Sequence, residues 1–163
     1  MNMLTDTQDG KTLINEAAYR IIGENAPQEL PLYVTTRDQY FADPERFVQV
    51  VEAEDESLGI GITIAVTTLT KVVFPILTPI LSYVLDKVAE ALQEEGSERA
   101  SQWVRSLFKD TKPKPVFTQA QLEVIAATIQ DIARTEAARL ELKPLQARTV
   151  SDSVIARLAL AKI

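Results

Sequence analysis

The chain has 163 residues, of which 46% are hydrophobic and 25% are charged, and its formal net charge is −6. This length suits one domain, and this apolar content predicts a packed core rather than a disordered chain. Cysteine and histidine are both absent, which excludes disulfides, thiol nucleophiles, histidine bases and the usual zinc sites. We therefore predict a non-enzymatic protein with no catalytic, cofactor-binding or metal-binding residues. The acidic balance also argues against a nucleic-acid partner.

The N-terminal third is acidic and predicted to be helical. Residues 1–56 carry twelve acidic and four basic side chains, whereas the rest of the chain is nearly neutral. Apolar residues recur at helical spacing behind Thr12 and predict a helix over 13–24 that stops before Pro27. The first residues contain neither a basic region nor an apolar one, which predicts synthesis in the cytoplasm without a signal peptide.

Two further elements are predicted before residue 57. The prolines at 27 and 31 predict a non-helical connection that leads to an extended patch over 32–34. Thr36 and Gln39 form a possible capping-box pair. Asp43 and Pro44 then form a strong helix start, so a helix is predicted over about 44–55.

The central segment, 57–85, is the unusual part of the sequence. Its twenty-nine residues carry a single charge, Lys71. A helix of roughly 20 apolar residues is enough to cross a bilayer core. The interruptions are mostly hydroxyl side chains, which can bond to the carbonyls of their own helix. The segment is therefore long and apolar enough to be a membrane helix.

Three helical interpretations of this segment remain open. It can form one transmembrane helix from 58 to about 80, with Lys71 near its middle. It can form a helical hairpin with Lys71, Pro75 and Pro79 at its tip. It can also be the fully buried central helix of a soluble bundle, with Lys71 extending its ammonium group to water.

A β interpretation competes over residues 59–73. Gly59 and Gly61 alternate with β-branched residues, and a period of two is typical of a strand. The alternative fold is therefore an α protein with a short β-hairpin at 59–73.

Amphipathic helices follow the apolar segment. One is predicted to continue to Gly96, and another to begin after Ser97 and to contain Trp103. Basic residues surround Trp103 in the sequence, a composition typical of a membrane interface, so Trp103 is an interface candidate.

The C-terminal region is predicted to be a helical hairpin. Residues 110–117 are proline-rich and form a linker between the unit 57–109 and the unit 118–163. Thr118 and Gln121 make a capping-box pattern at the start of a helix over 119–142. Pro144 breaks this helix, and a second one is predicted over 150–162, capped by Thr149 and Asp152. Such a hairpin can bind another protein.

The sequence as a whole predicts an all-α bundle of about five to six helices around the apolar segment 58–85. We expect a bacterial-type, membrane-associated protein that anchors in or inserts into a bilayer and forms pores or permeabilises it. The alternative is a cytoplasmic, self-associating adaptor or scaffold, in which the segment is core or oligomer interface. The residues expected to contact lipid or a second copy are Gly59, Gly61, Ile62, Val66, Leu69, Lys71, Val73, Phe74, Pro75 and Pro79. The layout resembles the pore-forming domain of colicins in architecture only, without a shared residue motif.

Overall fold

The described part of the chain is built from helices and the segments that join them. The computed structural model describes residues 3–47, 68–93 and 98–161. The α-helices are α1 (Met3–Asp6), α2 (Gln8–Asn25), α3 (Tyr33–Ala42), α4 (Thr68–Leu92), α5 (Glu98–Ser106), α6 (Gln119–Arg139) and α7 (Pro144–Leu158), and 3-10 helices cover Pro27–Leu32 and Ala159–Ala161. No β-strand occurs in these ranges, so the all-α prediction is confirmed. The β-hairpin alternative is not supported, although residues 59–67 lie outside the described ranges.

Helix α4 lies at the centre of the bundle. It contacts α2, α3, α5, α6 and α7. From residue 69 to residue 81 almost every side chain is buried, whereas exposed positions become frequent after residue 85. A helix that is apolar on all sides is stable in water only when other helices cover it. The amphipathic stripes predicted for the surrounding helices provide this cover.

Helix α2 begins earlier than its apolar spacing predicts. The Thr7 hydroxyl accepts a hydrogen bond from the Gly10 N–H at 3.0 Å and caps the helix. The predicted start behind Thr12 is wrong, because the Thr12 hydroxyl donates to the Gln8 carbonyl inside the helix. Gly10 is required by the close approach of α1, since a Cβ there would lie 2.1 Å from the Leu4 carbonyl oxygen.

The predicted non-helical connection around Pro27 and Pro31 is also wrong. Pro27–Leu32 forms a 3-10 helix and α3 follows directly, so the predicted extended patch over 32–34 is absent. Proline fits the first turn of a helix because it lacks only an N–H that would have no partner there. Thr36 caps no helix, because it lies inside α3 and donates to the Leu32 carbonyl at 2.9 Å.

The helix predicted over about 44–55 is described only at its start. Residues 44–47 are helical, and the Asp43 carboxylate accepts a hydrogen bond from the Arg46 N–H at 3.2 Å. The later residues of this prediction lie outside the described ranges. Helix α4 ends at Leu92, before the predicted end at Gly96, and Gln93 follows with a φ of 58°.

The C-terminal helical hairpin is confirmed, with changed bounds. Thr118 and Gln121 form the predicted capping box at the start of α6. Helix α7, however, begins at Pro144 instead of 150. The predicted break is thus the first helical position, which proline tolerates. Thr149 is not a cap, because its hydroxyl donates to the Leu145 carbonyl within the helix.

An ion pair joins α2 to α5 and gives the stability a defined pH dependence. Both Glu16 carboxylate oxygens accept from the Arg105 guanidinium, at 2.7 and 3.0 Å. Hydrogen bonds from Arg105 hold the pKa of Glu16 below its ordinary value of 4.5. Because the folded-state pKa is lowered, the pair stabilises the fold fully at pH values above the ordinary pKa of 4.5. This contribution is lost as the pH falls from there through the lowered pKa of the folded state.

We expect Glu16→Gln to lower the free energy of unfolding by about 1 kcal/mol at pH 7. Urea unfolding of both proteins at pH 7 and at acidic pH measures this difference. The difference should shrink steadily as the pH is lowered through the carboxylate range. An equal difference at both pH values would show that the ion pair is not its source.

Candidate functional site

The candidate functional element is α4 itself. Leu69–Leu92 is a helix of 24 residues with a window of mean hydropathy 1.6, which is long and apolar enough to cross a membrane. At 1.5 Å per residue it measures about 36 Å, against a bilayer core of about 30 Å. In the bundle, 61% of that window is buried. These values are compatible with membrane association and with a soluble core.

The predicted contact residues divide into two groups. Gly59, Gly61, Ile62 and Val66 lie outside the described residues. The others lie on α4: Leu69, Val73, Phe74 and Pro75 are buried, whereas Lys71 and Pro79 are partly exposed. The structure therefore places all six residues of the second group on one helix, four of them buried and two partly exposed.

The prolines do not divide α4. Pro75 and Pro79 both lie inside one continuous helix, so the predicted helical hairpin with its tip at these residues is wrong. Proline removes a backbone donor and usually disturbs a helix interior. The Thr78 hydroxyl donates to the Phe74 carbonyl at 2.8 Å within the same helix. This side-chain bond lies beside both prolines, but it does not replace the donors that they lack, because an N–H at 75 or 79 would bond to the carbonyls of residues 71 and 75.

A buried carboxylate caps the first turn of α4. Glu29, in the 3-10 helix, is only 4% exposed. One of its oxygens accepts from the Thr70 N–H at 2.8 Å and from the Thr70 hydroxyl at 2.6 Å. The free N–H groups and the positive end of the dipole at a helix N-terminus favour such an anion. Glu29 thus fastens the 3-10 helix to α4.

A second polar contact joins α3 to the middle of α4. The hydroxyls of Tyr40 and Thr78 share a buried hydrogen bond of 2.9 Å. Burial raises the pKa of Tyr40 above its ordinary value, so the phenol remains neutral near pH 7. With Glu29, this contact attaches both halves of Pro27–Ala42 to α4. We call Pro27–Ala42 the cover segment.

Aromatic packing completes the contact between the cover segment and α4. The Phe74 ring is fully buried, and its centroid lies 5.7 Å from that of Tyr33, 5.3 Å from that of Tyr40 and 6.1 Å from that of Phe41. Tyr33 is held in place on its other side, because its hydroxyl donates to the Asn15 side chain at 2.8 Å. Phe74 is therefore the apolar centre of this contact.

Trp103 lies in the core of the described structure. It is 8% exposed, and its indole N–H donates to the Lys114 carbonyl at 2.7 Å. Its ring packs edge-on against Phe117 at 5.8 Å. In this state of the protein Trp103 fixes the segment that joins α5 to α6 and is not available to an interface.

Comparison with known proteins identifies no relative of this chain. No family model, no curated protein and no solved structure matches this chain. Pore formation, self-association and bacterial origin all remain predictions.

Proposed function

We propose that this protein is a water-soluble helical bundle that stores α4 as a latent membrane helix, which inserts into a bilayer when the bundle opens. One observation carries the proposal: Leu69–Leu92 has the length and hydropathy of a membrane span, and its most apolar window is largely covered by other helices. The inserted helix would anchor the protein or permeabilise the bilayer.

For the apolar part of α4, transfer from the bundle to lipid changes the surroundings little, whereas the charged Asp86, Lys87 and Glu90 lie toward its C-terminal end. A protein core and lipid hydrocarbon are similarly apolar, and a helix satisfies its own backbone hydrogen bonds in both. The Thr78 hydroxyl keeps its bond to the Phe74 carbonyl, because both belong to α4. Lys71 is the third residue of the span Leu69–Leu92, where a lysine can extend its ammonium to the headgroups.

Release of α4 requires separation of the cover segment. That step breaks the Glu29–Thr70 and Tyr40–Thr78 hydrogen bonds and removes the aromatic rings from Phe74. Because these contacts are buried and specific, they oppose opening in water. The cover segment is therefore one of the elements that keep α4 latent, together with α2, α5, α6 and α7, which also pack against it.

A positive charge introduced in the middle of α4 should impair membrane insertion without preventing folding in water. Ser82 lies near the centre of Leu69–Leu92 and is partly exposed in the bundle, so the guanidinium of Ser82→Arg can reach water there. At the centre of a bilayer an arginine costs about 3 kcal/mol, roughly a hundredfold in the extent of insertion. Thr135→Arg, exposed on α6, adds the same charge outside the span.

The measurement is flotation with vesicles together with release of an encapsulated dye. We expect the natural protein and Thr135→Arg to float and to release dye, and Ser82→Arg to release far less. Circular dichroism checks that both variants fold. Equal release by Ser82→Arg and Thr135→Arg, or no vesicle binding by the natural protein with any lipid mixture, contradicts the proposal.

The second candidate function is a soluble, self-associating scaffold, in which α4 is permanently core. The buried Glu29 cap favours it, because such a contact stabilises the closed bundle. The C-terminal hairpin also exposes Val124 by 65% and Leu145 by 72%, both available to a partner. This candidate predicts a defined oligomer in detergent-free gel filtration and no dye release.

A further inference from the structure

The segment between α5 and α6 carries an exposed cluster of lysines. Lys109, Lys112 and Lys114 all lie on the surface, and we call residues 109–115 the lysine loop. Between residues 107 and 118 the sequence has one acidic residue, Asp110. Its carboxylate lies 2.5 Å from the Arg20 guanidinium, whose hydrogen bond holds the pKa of Asp110 below its ordinary value. Arg20 thus offsets the negative charge that would otherwise weaken the cluster.

The lysine loop is held in a fixed shape. The Lys114 carbonyl accepts the hydrogen bond from the buried Trp103 indole. Pro113 is buried, and Phe117 is 2% exposed where it packs on Trp103. The Lys114 carbonyl and the side chains of Pro113 and Phe117 therefore anchor this segment to the core, whereas the lysine ammonium groups face water. A preordered cationic loop loses less conformational entropy on binding than a flexible one.

The lysine loop is positively charged on a protein that is acidic overall. The chain as a whole carries −6. The neighbouring arginines are paired with carboxylates, Arg105 with Glu16 and Arg20 with both Asp110 and Glu24, so the three lysines carry the excess positive charge of this surface. A local positive field on an acidic protein orients it toward an anionic surface and turns its other faces away.

We propose that the lysine loop is the docking site for anionic lipid headgroups, through which the protein binds a membrane surface before α4 inserts. This inference rests on the proposed function. Each lysine near an anionic bilayer contributes roughly a fivefold gain in binding. Nucleic acid fits less well, because the aromatic side chains at this loop, Trp103 and Phe117, are buried and cannot stack on bases.

The test compares two charge-matched double variants of the full chain. Lys112→Glu with Lys114→Glu reverses the charge of two of the three lysine side chains in the loop. Lys11→Glu with Lys143→Glu makes the same change in net charge at two positions outside the loop, in the first turn of α2 and immediately before α7. Co-sedimentation with vesicles of phosphatidylglycerol and phosphatidylcholine measures binding, and pure phosphatidylcholine vesicles and a 30-base-pair DNA duplex serve as alternative surfaces.

We expect the loop variant to lose at least 25-fold in affinity for the anionic vesicles, with a much smaller loss for the control variant. Binding should weaken with added salt and be absent on pure phosphatidylcholine. Equal losses in the two variants, binding without regard to lipid charge, or loop-dependent binding to DNA alone would overturn the inference. If loop-dependent binding occurs without dye release, the lysine loop is a docking site for anionic lipid as proposed, and the insertion proposal fails.

Discussion

Phe74→Ala should lower the free energy of unfolding by about 3–5 kcal/mol, the usual loss when a fully buried phenylalanine is truncated. The Phe74 ring is 0% exposed and lies against Tyr40 and Tyr33, so the cavity has rigid aromatic walls that cannot collapse easily. Chemical denaturation measures the loss directly. Because the cavity lies between α4 and the cover segment, the variant should also insert into vesicles faster than the natural protein.

Val124→Ala is the matched control for this truncation. Val124 is 65% exposed on α6, so its replacement should change the free energy of unfolding by less than about 0.5 kcal/mol. A loss below about 1 kcal/mol for Phe74→Ala would mean that the ring is not packed as described. Normal destabilisation with unchanged insertion would mean that the cover segment does not control release.

Glu29→Ala should destabilise the fold by about 2–3 kcal/mol, because it leaves the buried Thr70 N–H and hydroxyl without their acceptor. The capping contact also opposes release of α4, so this variant is expected to release vesicle dye faster at the same protein concentration. Denaturant unfolding and stopped-flow dye release measure the two effects on one preparation.

Two substitutions control for the removal of the Glu29 carboxylate. Glu29→Gln retains an acceptor oxygen and should lose about 1 kcal/mol. Glu45→Ala removes an exposed carboxylate and should leave stability nearly unchanged. If Glu29→Ala unfolds at the same denaturant concentration as Glu45→Ala, Glu29 does not cap α4.

Local patterns in the sequence predict most of the helices. Apolar residues at helical spacing locate α2 and α6, and the capping box at Thr118 and Gln121 fixes one start to the residue. These predictions succeed because each signal is local: the residues that make up an apolar stripe or a helix cap are only a few positions apart in the sequence. The helical hairpin at the C-terminus follows from the same local rules.

The errors arise where proline serves as a helix start. Pro144 and Pro27 both interrupt an apolar pattern, which favours a break, yet each begins a helix. Sequence alone does not distinguish these outcomes, because a proline at the first helical position and a proline after the last one look alike. The decision depends on whether the following turn can be buried against the core.

The contacts that hold α4 in the bundle are invisible to such patterns. Glu29 and Thr70 are 41 residues apart, and Glu29 lies in a short segment whose composition resembles a solvated turn. Tyr40 and Thr78 are 38 residues apart. The apolar run is evident in the sequence, but the helices that cover it are a property of the tertiary fold.

A fluorescent label at residue 82 tests most directly whether α4 leaves the bundle and enters lipid. The chain has no cysteine, so Ser82→Cys carries a single environment-sensitive dye, and Thr135→Cys on α6 serves as the matched control. With anionic vesicles, the dye at 82 should shift to shorter emission wavelength and be quenched by nitroxides on the lipid chains, whereas the dye at 135 should do neither. If the dye at 82 keeps its emission and escapes quenching while the protein is bound to the vesicles, α4 remains in the bundle and the account is contradicted.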